Sequence, residues 1–133
     1  MISANKNFTQ KVISWYLKNK RPLPFRKSKD PYKIWLSEIM LQQTQVKTVL
    51  PYYKRWIKKF PTLKTVSLSN IDRLLKLWEG LGYYKRCINF YKASKIVIND
   101  YNGKIPDRKK EFLALPGVGE YTASAVLSIA FSK

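Results

Sequence analysis

Apolar residues recur at the spacing of an α-helix along almost the whole of this chain, and no segment alternates apolar and polar residues for long enough to require a β-strand. The chain has 133 residues, which is enough for one modest hydrophobic core. No internal repeat or low-complexity linker divides it. The sequence therefore predicts a single all-α unit.

Capping residues, prolines and glycines divide this unit into segments. A first amphipathic helix is expected at about residues 7–19, and residues 21–29 form a basic loop punctuated by prolines. The same signals predict six further helices. We expect them at about residues 30–42 (opened by Asp30 and Pro31), 46–60, 69–78 (with a capping box of Ser69 and Asp72), 83–101, 107–115 (opened by Asp107) and 120–131.

The charge balance is strongly basic. Lys and Arg number 26 against 8 Asp and Glu, which gives a net charge of +18. Such a field attracts polyanions, and duplex DNA, structured RNA and an anionic membrane surface all fit it. Lysines supply most of the positive charge, which an AT-rich genome would also favour. Charge alone therefore leaves the partner open.

Other features of the composition limit the class of protein. No apolar run approaches the ~20 residues needed to span a bilayer. The first ten residues lack the apolar segment of a secretory signal. The single cysteine, Cys87, excludes an internal disulfide and cannot hold a metal cluster by itself. We therefore expect a soluble, cytoplasmic protein without a membrane partner.

Glu38 stands apart among the acidic residues. The others lie at predicted helix starts or beside basic residues, where they have a structural explanation. Glu38 lies in the middle of a predicted helix between Trp35 and Leu41, with no basic residue three or four positions away. A carboxyl group held against apolar side chains keeps its proton more readily, as a general acid must. The alternative is a solvent-facing glutamate at the edge of the apolar stripe.

The segment Leu-Pro-Gly-Val-Gly, residues 115–119, lies between the last two predicted helices. Its glycines permit a tight turn and the close approach of a phosphate, which the free amides of the next helix can bind. The small residues at 122–125 allow the paired helices to pack closely. This pattern favours phosphate binding, and the alternative is a plain turn between helices.

Two further loops carry unusual polar and aromatic residues. Residues 42–45 read Gln-Gln-Thr-Gln, and residues 82–84 read Gly-Tyr-Tyr. Amide side chains and stacking aromatics can open a duplex and fill a vacated position in the base stack. Each loop alone is a weak signal, because polar helix ends and core tyrosines are more common than such wedges.

Taken together, these segments resemble the helix-hairpin-helix superfamily of base-excision DNA glycosylases, and in detail its MutY-type adenine glycosylase branch. The resemblance implies an all-α helix-hairpin-helix DNA glycosylase fold, with a six-helix module at residues 30–133 and the hairpin at about 107–131. It covers nearly the whole chain in the family's order. The matching stretches are LPFR (23–26), DPYKIWLSEIMLQQTQV (30–46), LWEGLGYYKR (77–86) and LPGVGEYTA (115–123).

The resemblance also implies a reaction and a set of site residues. MutY-type enzymes remove adenine mispaired with 8-oxoguanine or guanine in double-stranded DNA, by hydrolysis of the N-glycosidic bond of a flipped nucleotide. By position, Glu38 would be the general acid, and Tyr121 and Arg26 would line its pocket. The residues expected to bind DNA are Gln43, Thr44, Tyr83, Gly117, Val118 and Gly119.

One position distinguishes this branch from the endonuclease III branch. That branch carries a lysine nucleophile where this chain has Tyr121, so the resemblance argues against lyase chemistry. Phe25 replaces the tryptophan usual in the family, and apolar packing should survive this change.

The chain departs from the family at its C-terminal end. It stops at Lys133, before the loop of the family's catalytic aspartate, the four cysteines of its [4Fe-4S] cluster and the C-terminal domain. We therefore expect no cofactor in this chain and impaired catalysis. Residues 1–29 would lose their packing partner, which would expose apolar side chains and lower stability.

Three readings remain open. The first is an adenine glycosylase of base excision repair at the nucleoid, represented here by a truncated chain with impaired catalysis and with no obligate protein partner. The second is a non-catalytic helix-hairpin-helix DNA-binding remnant or an endonuclease III-like glycosylase. The third is a basic structural protein bound to RNA, for which the pocket motifs would be coincidental.

Overall fold

The computed structural model describes residues 29–133, and every regular element in this range is a helix. The predicted all-α class is confirmed. The helix expected at residues 7–19, its loss of a packing partner, and Arg26 lie outside the described residues. The helices are α1 (Pro31–Leu41), α2 (Val46–Lys59), α3 (Leu63–Leu68), α4 (Ile71–Trp78), α5 (Tyr84–Asp100), α6 (Lys109–Leu113) and α7 (Glu120–Phe131).

The central helix of the described fold is α1. It begins as the sequence predicts: the Asp30 side chain accepts a hydrogen bond from the backbone N–H of Tyr32, 2.9 Å away, and Pro31 opens the first turn. Eight of its 11 residues are buried, because α2 and α7 pack against it. A helix buried on nearly all sides carries whatever polar residue it contains into the core.

Edge-to-face aromatic contacts hold α1 in place. The ring centroid of Trp35 lies 4.8 Å from that of Phe90 in α5 and 5.2 Å from that of Phe112 in α6. Trp56 of α2 contacts Trp78 of α4 in the same way, at 5.9 Å. The rings of these pairs meet edge to face, which is an arrangement that aromatic rings prefer. Together the pairs connect five of the helices through one core.

The region before α4 differs from the sequence prediction. A short additional helix, α3, is capped by Thr62, whose side chain forms a capping box with Thr65. Residues 30–133 therefore form seven helices rather than six. Ser69 ends α3 instead of capping α4. The cap of α4 is Asn70, which accepts a hydrogen bond from the Arg73 N–H at 3.0 Å. The predicted capping box of Ser69 and Asp72 is therefore wrong.

The start of α6 also differs. Asp107 does not cap it: the helix begins at Lys109, and no side chain caps its first turn. The Asp107 carboxylate instead lies 3.8 Å from the ammonium group of Lys133. In contrast, α7 has the predicted bounds. No helix between residues 29 and 133 is long and apolar enough to cross a membrane.

Candidate active site and DNA interface

Glu38 is buried in the middle of α1, with 2% of its surface exposed. Burial penalises its charged form and raises the pKa of the carboxyl from 4.5 to about 7, although a hydrogen bond with Tyr121 acts in the opposite direction. Its Oε2 is buried and has no hydrogen-bond partner among the described residues. The environment predicted for Glu38 is therefore confirmed, and the solvent-facing alternative is wrong.

Tyr121 reaches Glu38 because α1 and α7 pack together. The small residues that follow Tyr121 are buried: Thr122, Ala123 and Ala125 are each at most 1% exposed. Tyr121 itself is only partly buried. The buried acid therefore lies directly behind a side chain that reaches the surface.

The loop after α1 is tied to α7. The Gln42 side-chain amide donates a hydrogen bond to the hydroxyl of Thr122, 3.0 Å away. Gln43 follows in the left-handed region of the backbone, at φ 59°, with its side chain exposed. The Thr44 hydroxyl donates to the Gln42 carbonyl at 3.3 Å. This loop is therefore anchored beside the acid and presents Gln43 to solvent.

The loop before α5 presents an aromatic ring. Tyr83 is 62% exposed and also lies in the left-handed region, at φ 51°. Gly82 precedes it at φ 77°, a conformation that residues with a Cβ rarely adopt. The indole N–H of Trp78 donates to the Gly82 carbonyl at 2.9 Å, which fixes the loop to the core.

Arg86 connects these two loops, and the sequence analysis did not assign it a role. Its Nη1 donates to the carbonyl oxygens of Ile39 and Gln42, at 2.6 Å each, and so caps the end of the helix that carries Glu38. A signal was present in the sequence: Arg86 lies in the first turn of α5, where the helix dipole disfavours a cation. A cation at that position needs a specific partner.

The hairpin between α6 and α7 has the expected tight turn. Gly117 lies at φ 77°, and a Cβ built on it would come within 2.7 Å of the Asn89 Cβ, so no larger residue fits. Gly119 is the residue before α7, and no side chain caps this helix in the described structure. The first-turn amides of α7 are therefore free of side-chain caps, as phosphate binding requires. Val118 is buried between the two glycines.

The predicted site residues therefore fall into two neighbouring groups. Glu38, Gln43 and Thr44 belong to α1 and its following loop, which Arg86 joins to the loop of Tyr83. The other described site residues, Gly117, Val118, Gly119 and Tyr121, lie in the hairpin and in the first turn of α7.

The described residues do not fit an iron–sulfur cluster. A [4Fe-4S] cluster is held by four thiolates, whereas this chain has one cysteine. Cys87 is buried, and burial raises the pKa of its thiol to about 12, which disfavours the thiolate. No group of three or more metal-ligating side chains occurs between residues 29 and 133.

Known proteins resemble the chain in sequence. An adenine DNA glycosylase of Buchnera aphidicola subsp. Baizongia pistaciae is 50% identical over 126 residues, which cover 94% of this chain and 36% of that protein. The human adenine DNA glycosylase is 41% identical, over 95% of this chain and 25% of that protein. The chain thus spans about a third or less of the length of these relatives.

Solved structures resemble it in fold. A thermostable thymine-DNA glycosylase superposes with a TM-score of 0.80 at 31% identity, covering 96% of this chain and 59% of that one. An endonuclease III trapped on DNA superposes with a TM-score of 0.73 at 24% identity, covering 93% and 61% of the two chains.

The family itself follows from a match over most of the chain. Residues 36–126 match the sequence model described as "HhH-GPD superfamily base excision DNA repair protein". This range contains Glu38, both exposed loops and the glycine hairpin up to Tyr121. The chain therefore belongs to the HhH-GPD superfamily of base excision DNA repair proteins.

Proposed function

We propose that this chain is the acid-bearing and DNA-gripping part of an adenine DNA glycosylase that acts on adenine mispaired with 8-oxoguanine or guanine in double-stranded DNA. The observation that carries the proposal is the buried Glu38 carboxyl, whose pKa lies at about 7. The relatives named adenine DNA glycosylase support the choice of base. The activity is proposed at the level of the whole enzyme, because the chain covers 36% of the length of the relative from Buchnera aphidicola subsp. Baizongia pistaciae.

Glu38 suits the chemistry of the leaving group. An adenine flipped against the α1–α7 contact would accept the Glu38 proton on a ring nitrogen, so that it departs as a neutral base. The glycosidic bond then breaks with both electrons going to the adenine. The positive charge left on the sugar is quenched by water, which loses a proton. A carboxyl with a pKa near 7 is partly protonated at neutral pH, as this step requires.

Tyr121 is proposed as the pocket residue that tunes this acid. Its hydrogen bond lowers the pKa of Glu38 from the value that burial alone would give. Because Tyr121 is partly exposed and adjoins the hairpin, it would lie between the buried carboxyl and a DNA backbone bound at the hairpin. Arg26 is proposed as a second pocket residue on the resemblance alone.

The two exposed loops and the hairpin are proposed as the DNA interface. Gln43, Thr44 and Tyr83 would occupy the stack around the base left unpaired by flipping, since amide and aromatic side chains replace base contacts there. The main-chain groups of Gly117, Val118 and Gly119, together with the first-turn amides of α7, would bind a backbone phosphate. The net charge of +18 would supply the attraction to the duplex that is independent of sequence.

The proposal is tested by single-turnover adenine release from a duplex with adenine opposite 8-oxoguanine, together with binding to that duplex and to its A:T counterpart. Release should be lost in Glu38→Gln and kept in Asp100→Asn, which makes the same chemical change at an exposed position. Full release by Glu38→Gln would contradict the acid role. Binding without release and without mismatch preference would instead indicate a non-catalytic DNA-binding module.

A further inference from the structure

The Arg86 guanidinium gathers carbonyl groups from two loops that are far apart in the sequence. Its Nη1 bonds the carbonyl oxygens of Ile39 and Gln42 at 2.6 Å each, and its Nη2 reaches the Gly82 carbonyl at 3.4 Å. The guanidinium carbon also lies over the ring of Tyr83, 5.2 Å from its centroid. Arg86 thus contacts both exposed loops at once.

Two of these carbonyls belong to particular peptide groups. The Gln42 carbonyl is part of the peptide that joins Gln42 to Gln43, and the Gly82 carbonyl is part of the peptide that joins Gly82 to Tyr83. Gln43 and Tyr83 are two of the four residues other than glycine with positive φ among residues 29–133. Arg86 therefore bonds the peptide that immediately precedes each of these two strained residues.

The position of Arg86 has an electrostatic cost. It lies in the first turn of α5, which contains no acidic residue to offset the helix dipole. Burial lowers the pKa of its guanidinium, and its Nε is buried without a hydrogen-bond partner among the described residues. The contacts to the two loops are the interactions that offset this cost. The Trp78 indole, which bonds the same Gly82 carbonyl, lies beneath it at 5.5 Å.

We propose that Arg86 is a positioning residue that locks Gln43 and Tyr83 in their exposed left-handed conformations and couples both to the Glu38 helix. The DNA-level consequence rests on the proposed function, in which these two side chains enter the stack. Together, Gln43 and Tyr83 would form a wedge that enters the base stack. A wedge that is already formed in the free protein loses less conformational entropy when it displaces a base. The same guanidinium caps the end of α1, which carries Glu38. The wedge therefore keeps a fixed distance from the Glu38 carboxyl.

The first test uses the free protein and needs no DNA. Backbone coupling constants and chemical shifts report the φ angles of Gln43 and Tyr83. In Arg86→Lys, which keeps the charge but loses the planar fork, both residues should leave the left-handed region. In Arg73→Lys, the same change at an exposed arginine, neither should move. Unchanged left-handed conformations in Arg86→Lys would overturn the proposal.

A measurement on the unsubstituted chain covers the case in which Arg86→Lys fails to fold. The guanidinium signals of Arg86 should show hindered rotation and slow proton exchange, because its Nη1 donates to two carbonyl oxygens, each 2.6 Å away. Free rotation with rapid exchange would show that Arg86 holds neither loop, and would overturn the proposal on its own.

The second test reads the wedge on DNA, with 2-aminopurine in place of the adenine opposite 8-oxoguanine. Its fluorescence rises when the base leaves the stack. Arg86→Lys should lower the unstacking equilibrium by about tenfold, with duplex affinity nearly kept. Equal unstacking by Arg86→Lys and by the unsubstituted chain would overturn the positioning role of Arg86. If the unsubstituted chain binds without unstacking, the proposed function fails while the first test still decides the locking role.

Discussion

Glu38, in the middle of α1, and Tyr121, in the first turn of α7, share a hydrogen bond between their side chains across the contact of the two helices. One residue is buried and ionisable, and the other is partly exposed and phenolic. Burial raises the pKa of the carboxyl and the hydrogen bond lowers it, and burial is the larger effect. The result is an acid poised near neutral pH at the edge of the core.

Replacing Tyr121 with Phe should raise the pKa of Glu38 above about 7, because the hydrogen bond that lowers it is removed while burial stays. The ring is retained, so the α1–α7 packing should survive. A carbon-detected NMR titration of the Glu38 carboxyl measures the change. A pKa that falls, or that stays where it was, would show that the phenol does not stabilise the carboxylate.

Replacing Glu38 with Gln should change stability in a way that depends on pH. The folded chain holds the Glu38 proton more tightly than the unfolded chain, so the free energy of unfolding of the unsubstituted chain falls as pH rises from about 4.5 to about 7. Glu38→Gln removes that loss. Between pH 4 and pH 8, the free energy of unfolding of this variant should therefore rise by about 3 kcal/mol relative to that of the unsubstituted chain.

Denaturant unfolding at both pH values measures this difference, with Asp100→Asn as the control for an exposed carboxyl. If Glu38→Gln and the unsubstituted chain differ in free energy of unfolding by the same amount at pH 4 and at pH 8, the raised pKa of Glu38 is contradicted.

Replacing Gly117 with Ala should destabilise the hairpin by about 3 kcal/mol, because φ is 77° and the new Cβ would come within 2.7 Å of the Asn89 Cβ. Gly119→Ala is the matched control: that residue has an ordinary φ of −94° and open space where a Cβ would lie, so its effect should stay below about 1 kcal/mol. Thermal unfolding compares the two variants. Similar losses at both positions would argue against the observed hairpin geometry.

Replacing Tyr83 with Ala should weaken the preference for mismatched over matched duplex while the free energy of unfolding changes little, because the ring is 62% exposed. Aromatic contacts with bases contribute about 1–3 kcal/mol each, so the preference should fall at least fivefold. Tyr84→Ala, at the neighbouring 45% exposed position, is the control. Competition binding with the two duplexes decides the matter, and an unchanged preference in Tyr83→Ala would remove this residue from the interface.

Local signals predicted much of this fold. The pair Asp30–Pro31 fixes the start of α1 through a cap and a proline, and both act within one turn. The start of α7 follows from a different local signal, the glycine turn that ends at Gly119 and the acidic Glu120 in the first turn. The prediction failed where two capping residues stand next to each other. Ser69 and Asn70 could each cap α4, and the hydrogen bond that the Arg73 backbone N–H donates to the Asn70 side chain shows that Asn70 does.

The candidate site was predictable in part. The spacing around Glu38 left a buried and a solvent-facing carboxyl as alternatives, and the packing of α2 and α7 against α1 decides for the buried one. The position of Arg86 in the first turn of α5 indicated that this cation needs a partner, but the partner was not predictable, because the acceptors are main-chain carbonyls of Ile39, Gln42 and Gly82. Main-chain groups leave no mark on residue identity, so only packing shows where such a guanidinium binds.

The most direct test of the account is the pKa of Glu38, measured by NMR titration of its side-chain carboxyl carbon in the 133-residue chain. Burial of the carboxyl behind the α1–α7 contact should give a value of about 7, well above the ordinary 4.5. A value near 4.5 would mean that Glu38 is already ionised at neutral pH, and it would contradict its assignment as the proton donor.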